Sequence, residues 1–128
     1  MAGYFGHIEK DTLENENFRK VLFTAQYSQL VLMSLKPGEE IGEEVHTLDQ
    51  FIRVEAGTGK AIMDGEEHEV VDGDAIVVPA GAKHNVINTS ENEPLKLYTI
   101  YSPPEHKDGT IHVTKEDALK DEHDHFEG

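Results

Sequence analysis

From Phe18 onward the chain is cut into short β-rich runs by residues that force turns, and this cadence constrains the fold more than any other feature. Phe18–Thr24 and Gln29–Leu35 flank Ala25–Ser28, a connection short enough for a direct reversal. Pro37-Gly38 ends the second run. Gln50–Glu55, Lys60–Met63, Glu66–Val71, Ala75–Val78 and Leu95–Tyr101 follow. Asp64-Gly65 is a strong hairpin signal because both residues tolerate positive φ. Asp72-Gly73-Asp74 turns again, and Pro103-Pro104 stops the last run. Helical periodicity is almost absent between these points. The expectation is an all-β sandwich or barrel. The length of 128 residues predicts a single domain spanning 1–128, with a barrel core of about 18–113.

The ends read differently. Residues 1–17 are polar, with Asp11 or Thr12 placed to cap a short helical turn through Glu16. Thr114-Lys115-Glu116-Asp117 resembles a capping box, with Asp in the usual Glu position, opening a short helix through Lys120. Asp121–Gly128 reads as a charged, mobile tail whose His123 and His125 are solvated.

Charge narrows the partners. Acidic residues number 26 against 11 basic, for a formal net charge of -15. Such a surface repels phosphate backbones and anionic lipid heads, so neither nucleic acid nor membrane is expected as a partner. The absence of cysteine removes disulfides, thiolate ligands and a Cys nucleophile together. No basic segment followed by an apolar run opens the sequence, and no stretch approaches membrane-spanning length, which leads us to expect a cytoplasmic protein.

Chemistry gathers at two points. Glu44 and His46 lie two apart, so on an extended strand they share a face. Gln50 keeps the same even phase, and Ile52 and Val54 continue that face as apolar. His84 follows a Pro79–Gly81 turn, with Val86 and Asn88 in phase behind it. Oxygen and nitrogen donors collected on one face point to a bound cation. The spacing is specific. Gly38, Glu44, His46, Gln50 and Gly57 reproduce the intervals of G-x5-H-x-H-x3,4-E-x6-G. Gly73, Pro79, Gly81, His84 and Asn88 match G-x5-P-x-G-x2-H-x3-N.

These are the two motifs of the cupins, and the chain resembles a small single-domain bacterial cupin over roughly residues 37–104. The resemblance implies a double-stranded β-helix, a jelly-roll barrel of RmlC-like type, with a short N-terminal extension and a short C-terminal helix and tail. It also implies one divalent metal ion held by Glu44, His46, Gln50 and His84. Glu44 stands where the family has its first histidine, and Gln50 where it has glutamate. The carboxylate has moved, but the formal ligand charge is unchanged. All four donors are N or O, so Fe, Mn, Zn, Ni and Co remain open.

Fold alone does not choose among cupin activities. The leading expectation is a metal-dependent enzyme acting on a small oxygenated molecule, isomerase- or dioxygenase-like. The alternative is a non-catalytic small-molecule binder or a structural cupin. Small cupins of this appearance often carry a mannose-6-phosphate isomerase-like label, which reflects shared barrel motifs. A homodimer is expected, with the two-sided apolar run Leu30–Leu35 as material for its face. His7, His68, His106 and His112 read as surface or satisfied histidines, and Asp49 as a turn residue. Tyr98 and Tyr101 lie on opposite faces of the last strand, so one of them can line the barrel mouth. No general acid or base outside the ligand set stands out.

Overall fold

The computed structural model describes residues 2–125. It is a β-barrel of two antiparallel sheets with a short helix near each end of the described chain. A helix α1 (Ile8–Glu14) precedes β1 (Arg19–Thr24), β2 (Gln29–Leu35), β3 (Glu44–Val45), β4 (Asp49–Ala56) and β5 (Thr58–Met63). Then come β6 (Glu66–Val71), β7 (Ala75–Val78), β8 (Lys83–Asn88), β9 (Leu95–Ser102), β10 (Ile111–His112) and α2 (Lys115–Lys120). One sheet runs β10-β1-β2-β9-β4-β7, and the other β3-β8-β5-β6. This is the jelly-roll architecture that the turn cadence and the motifs predict. Among the described residues no helix is long and apolar enough to cross a membrane.

Alternation builds the barrel. Gln50, Ile52 and Val54 on β4 all point inward, as do His84, Val86 and Asn88 on β8. Val31, Met33 and Leu35 of β2 meet Leu95 and Leu97 of β9 in the same core, and these five are fully buried. Burying a side chain of this kind contributes about 1.5–3 kcal/mol. The Asp64-Gly65 turn adopts the positive φ values its sequence predicts, 48° and 85°. It joins β5 to β6 with Met63 opposite Glu66.

The two-sided apolar character of β2 has a local explanation. Helix α1 packs across the outer face of β2, β4 and β9. Leu32, on that outer face, is 2% exposed. Glu55 and Lys96 are buried on that sheet too, the latter donating to the Asn15 carbonyl. The chain therefore covers this face with its own N-terminal segment.

Helix α1 begins earlier than its sequence predicts. Neither Asp11 nor Thr12 caps it: both lie inside it, and His7 holds the N-cap position without a side-chain bond. Thr12 instead turns its hydroxyl back to the Ile8 carbonyl at 2.7 Å, the usual way a mid-helix Thr satisfies itself. Asp11 accepts from the Tyr4 hydroxyl at 2.6 Å. At the other end the Thr114–Asp117 capping box forms in full. The tail after it is not free, as expected, but docked. Asp121 binds His112, and Asp124 binds His106. Residues 126–128 of that tail lie outside the described residues.

Candidate metal centre

The two motif segments converge at one end of the barrel. Glu44 on β3 and His84 on β8 are directly opposed partners in an antiparallel ladder, so their side chains leave the sheet side by side. Across the barrel, Gln50 on β4 and Tyr101 on β9 are opposed partners in the other sheet. His46 lies in the crossing between the sheets. Its carbonyl accepts from Gly81 N at 2.8 Å, which ties the first motif to the turn of the second. Asp49 completes the tie by accepting from Ala80 N at 2.9 Å. Asp49 opens β4 rather than lying in a turn itself, and its carboxylate holds the turn of the second motif.

Orientation of the imidazoles follows from their neighbours. The His84 Nδ1 faces the Ala82 carbonyl at 3.0 Å, and a carbonyl can only accept. The proton therefore sits on Nδ1, leaving the Nε2 lone pair bare. His46 Nδ1 faces Glu105 Oε2 at 3.6 Å, while its Nε2 is buried with no hydrogen-bond partner. A carboxylate or carbonyl behind a ligating imidazole is the usual device for aiming the other nitrogen at a metal. Gln50 is 4% exposed, and its amide donates to Thr99 Oγ1 at 2.9 Å. The same amide leaves its Oε1 buried and unpartnered. An orphaned buried carbonyl costs about 1–3 kcal/mol unless something accepts its lone pair.

Glu44 Oε2 lies 3.3 Å from His46 Nε2. Two donors at adjacent positions of one ion, each at about 2.1 Å, stand about 3 Å apart. The His46 and His84 ring centroids are 5.1 Å apart. Among the described residues no three His, Asp or Glu side chains surround one point closely enough to hold a metal. Glu44 is instead turned onto His46, and the fourth donor is an amide. In donor chemistry alone the set, two imidazoles, one carboxylate and one orphaned amide oxygen, is of the kind that suits a cation.

Electrostatics follow this pairing. Burial would raise the Glu44 carboxyl, but contact with His46 and the charges of His46, Arg19 and His84 prevail and lower its pKa. Contact with Glu44 raises the His46 pKa against the opposing effect of burial. Burial lifts the Tyr101 hydroxyl well above the ordinary phenol range. Of the two tyrosines, Tyr101 is the inward one, edge-on to His46 at 5.9 Å, while Tyr98 stacks outside against Phe51 at 6.2 Å.

A cavity of about 340 Å³ opens beside Glu44, walled by Arg19, Glu105, His106 and the C-terminal segment. Here the structure decides between surface and satisfied for two of the histidines, in favour of the second. His106 and His112 are not at the surface but buried, at 6% and 4% exposure. His106 Nδ1 meets Asp124 Oδ2 at 2.7 Å. His112 Nε2 meets Asp121 Oδ2 at 2.9 Å, with Arg19 Nη1 at 3.4 Å from its other nitrogen. No spacing rule could have found His106 or Glu105. They sit in the irregular segment after β9, and Asp124 reaches His106 from the docked tail. His7 and His68 are the exposed histidines expected.

Comparison with known proteins matches this arrangement. The cupin domain family covers residues 31–101. The chain is 50% identical over 120 residues to Uncharacterized protein YrkC of Bacillus subtilis (strain 168), spanning 88% of this chain and 64% of that protein. It is 45% identical over 116 residues to Uncharacterized protein L612 of Acanthamoeba polyphaga mimivirus, spanning 88% and 72%. The crystal structure of BH2720 from Bacillus halodurans superposes with a TM-score of 0.91 at 45% identity, covering 94% of this chain and 96% of that one. The chain thus spans a little under two thirds of the B. subtilis relative. With both motifs in register and the barrel they predict in place, the chain belongs to the cupin superfamily.

Proposed function

We propose that the protein is a metal-dependent cupin enzyme acting on a small oxygenated molecule, with one divalent ion held by Glu44, His46, Gln50 and His84. The observation that carries this reading is the bare Nε2 of His84, backed through Nδ1, beside the buried, orphaned Oε1 of Gln50, with the Glu44 and His46 pair at 3.3 Å next to them. A barrel needing only stability has no use for unpaired buried donors and acceptors. When bound, the ion would supply Lewis-acid polarisation of a carbonyl or hydroxyl oxygen.

The chain's own residues do the rest. Thr99 fixes which end of the Gln50 amide faces the interior. The Ala82 carbonyl fixes the His84 ring, and Glu105 lies 3.6 Å from His46 Nδ1. The adjacent cavity admits a molecule of a few carbon atoms, and Ile52, Val54 and Val86 exclude water from the barrel below.

The test is metal content and affinity. Protein purified from minimal medium and titrated with Zn(II), Mn(II), Fe(II), Co(II) and Ni(II) should bind one ion. Glu44→Ala and His84→Ala should each abolish that binding. Unchanged stoichiometry in both variants would end this reading. If metal binds but no turnover appears with any hydroxycarbonyl or oxoacid, the non-catalytic binder is the better description.

A further inference from the structure

We propose that His106, oriented by Asp124, is the catalytic base of this site, taking a proton from a small uncharged α-hydroxycarbonyl compound. The proposal rests on the metal-dependent reading above and supplies the proton acceptor that the ligand set lacks.

Geometry comes first. His106 is 6% exposed and lines the cavity that also contains Glu44. Its Nδ1 lies 2.7 Å from Asp124 Oδ2. An ionised carboxylate only accepts, so Nδ1 carries the proton and Nε2 presents a lone pair. That Nε2 is buried and has no partner. An acid, an imidazole and a free Nε2 in that order form the arrangement by which a carboxylate sets tautomer and orientation for general-base work. The ring is edge-on to Tyr101 at 5.0 Å, and Tyr101 is in turn edge-on to His46.

The backbone beneath His106 is clamped. Gln29, 1% exposed, accepts from His106 N at 2.9 Å and from Glu105 N at 3.2 Å through Oε1. Its Nε2 donates to the His106 carbonyl at 2.8 Å. A residue that only pinned the tail would not need this support, whereas a reacting group held to a fraction of an ångström does. Charged groups facing the ring are Asp124 from the tail, Glu105 beside it and Arg19 from β1. Burial outweighs the Asp124 hydrogen bond and lowers the His106 pKa, which keeps the ring neutral and able to accept.

Charge selects the substrate class. The cavity wall carries five carboxylates, Glu44 and Glu105 among them, against the cations of Arg19 and Lys115. Even a divalent ion leaves the wall net negative, so a carboxylate or phosphate ester is repelled and a neutral molecule is not. In the step itself, His106 Nε2 takes the proton from the hydroxyl-bearing carbon. The C–H electron pair becomes the C=C bond, and the carbonyl π pair moves onto its oxygen. Returning that proton to the former carbonyl carbon, while the hydroxyl proton passes between the two oxygens, shifts the carbonyl by one carbon. No electrons are gained or lost, and no co-reactant is needed.

Two measurements test this. In metal-free protein carrying ¹⁵N-histidine, NMR at neutral pH should show His106 protonated on Nδ1 and bare on Nε2. Zn(II)-loaded protein should then catalyse exchange of the carbon-bound protons of dihydroxyacetone in D₂O. His106→Gln should slow that exchange by about a hundredfold or more with zinc affinity unchanged. Asp124→Asn should slow it and alter its pH profile, and Asp124→Glu should restore part of the rate. A proton on Nε2, no exchange by the wild type, or full exchange by His106→Gln with zinc bound would each overturn the proposal. Failure to bind zinc at all would bring down the metal reading and this proposal together, which separates the two.

Discussion

Asp124 Oδ2 meets His106 Nδ1 at 2.7 Å across eighteen residues of chain, and both partners are nearly buried. Burial would raise the Asp124 carboxyl, but hydrogen bonds from His106 and Lys107 N, with the charges around it, bring it down to about 2. A depressed carboxyl contributes stability above its ordinary pKa and loses it as pH falls through the folded value. His106, also depressed, binds its proton more readily when unfolded. Both effects therefore act the same way. The contribution of this pair to melting temperature should fall first below about pH 6.5, as His106 charges in the unfolded chain, and again below about pH 4, while His46, raised by Glu44, acts in the opposite direction over the upper step. Asp124→Asn should cost about 1–2 kcal/mol at pH 7 and flatten the lower step. Thermal melts across pH 3–8 check this.

Restoring the family's carboxylate should tighten cation binding. Gln50→Glu adds a charged donor where an amide oxygen now sits unpartnered, and Thr99 can turn its hydroxyl to donate. Affinity for a divalent ion should rise about tenfold or more, equivalent to about 1.4 kcal/mol. Calorimetric titration of the variant beside the wild type reads the change.

Two glycines with the same φ separate strain from crowding. Gly57 and Gly73 both sit at +95°. A Cβ on Gly57 would fall 2.4 Å from the Pro94 carbonyl oxygen, whereas one on Gly73 meets nothing within 4 Å. Gly73→Ala should cost about 1–2 kcal/mol from backbone strain alone. Gly57→Ala should cost clearly more, since backbone must move. Urea denaturation of both variants gives the steric part by difference.

Gln29 is predicted to be worth more than its polarity implies. Gln29→Leu would strip the acceptor from two backbone N–H groups, Glu105 and His106. Leaving these donors unpaired should destabilise the protein by about 2–4 kcal/mol. Hydrogen exchange should rise at those two amides before it rises in β9. Equal exchange in wild type and variant would show the clamp to be dispensable.

The barrel was legible because its determinants are local. Asp64-Gly65 can do little except turn, and the alternation Gln50, Ile52, Val54 can bury only one face. The motif spacing was legible for a related reason: Glu44 and His84 need only β-phase and one ladder register to meet. The dyad was not legible. His106 sits in irregular chain, and its partner arrives from a segment whose charge reads as solvation. Nothing in Asp121–Asp124 signals that its carboxylates fold back onto buried imidazoles. The start of α1 was misplaced because Asp11 and Thr12 look like caps, while the helix takes its first turn from His7 and leaves that end to solvent.

Glu44 and His84 hang from the smaller sheet, Gln50 and Tyr101 from the larger, and His46 from the strip that joins them. Whatever occupies the space between them therefore rivets two halves of the molecule that are otherwise joined by apolar packing and a few hydrogen bonds, such as that from Asn88 Nδ2 to the Leu35 carbonyl. A cation's grip would then report on the separation of the two walls. Trimming a methyl group at Val54, four residues along β4 from Gln50, should loosen that grip as surely as altering a ligand's neighbour.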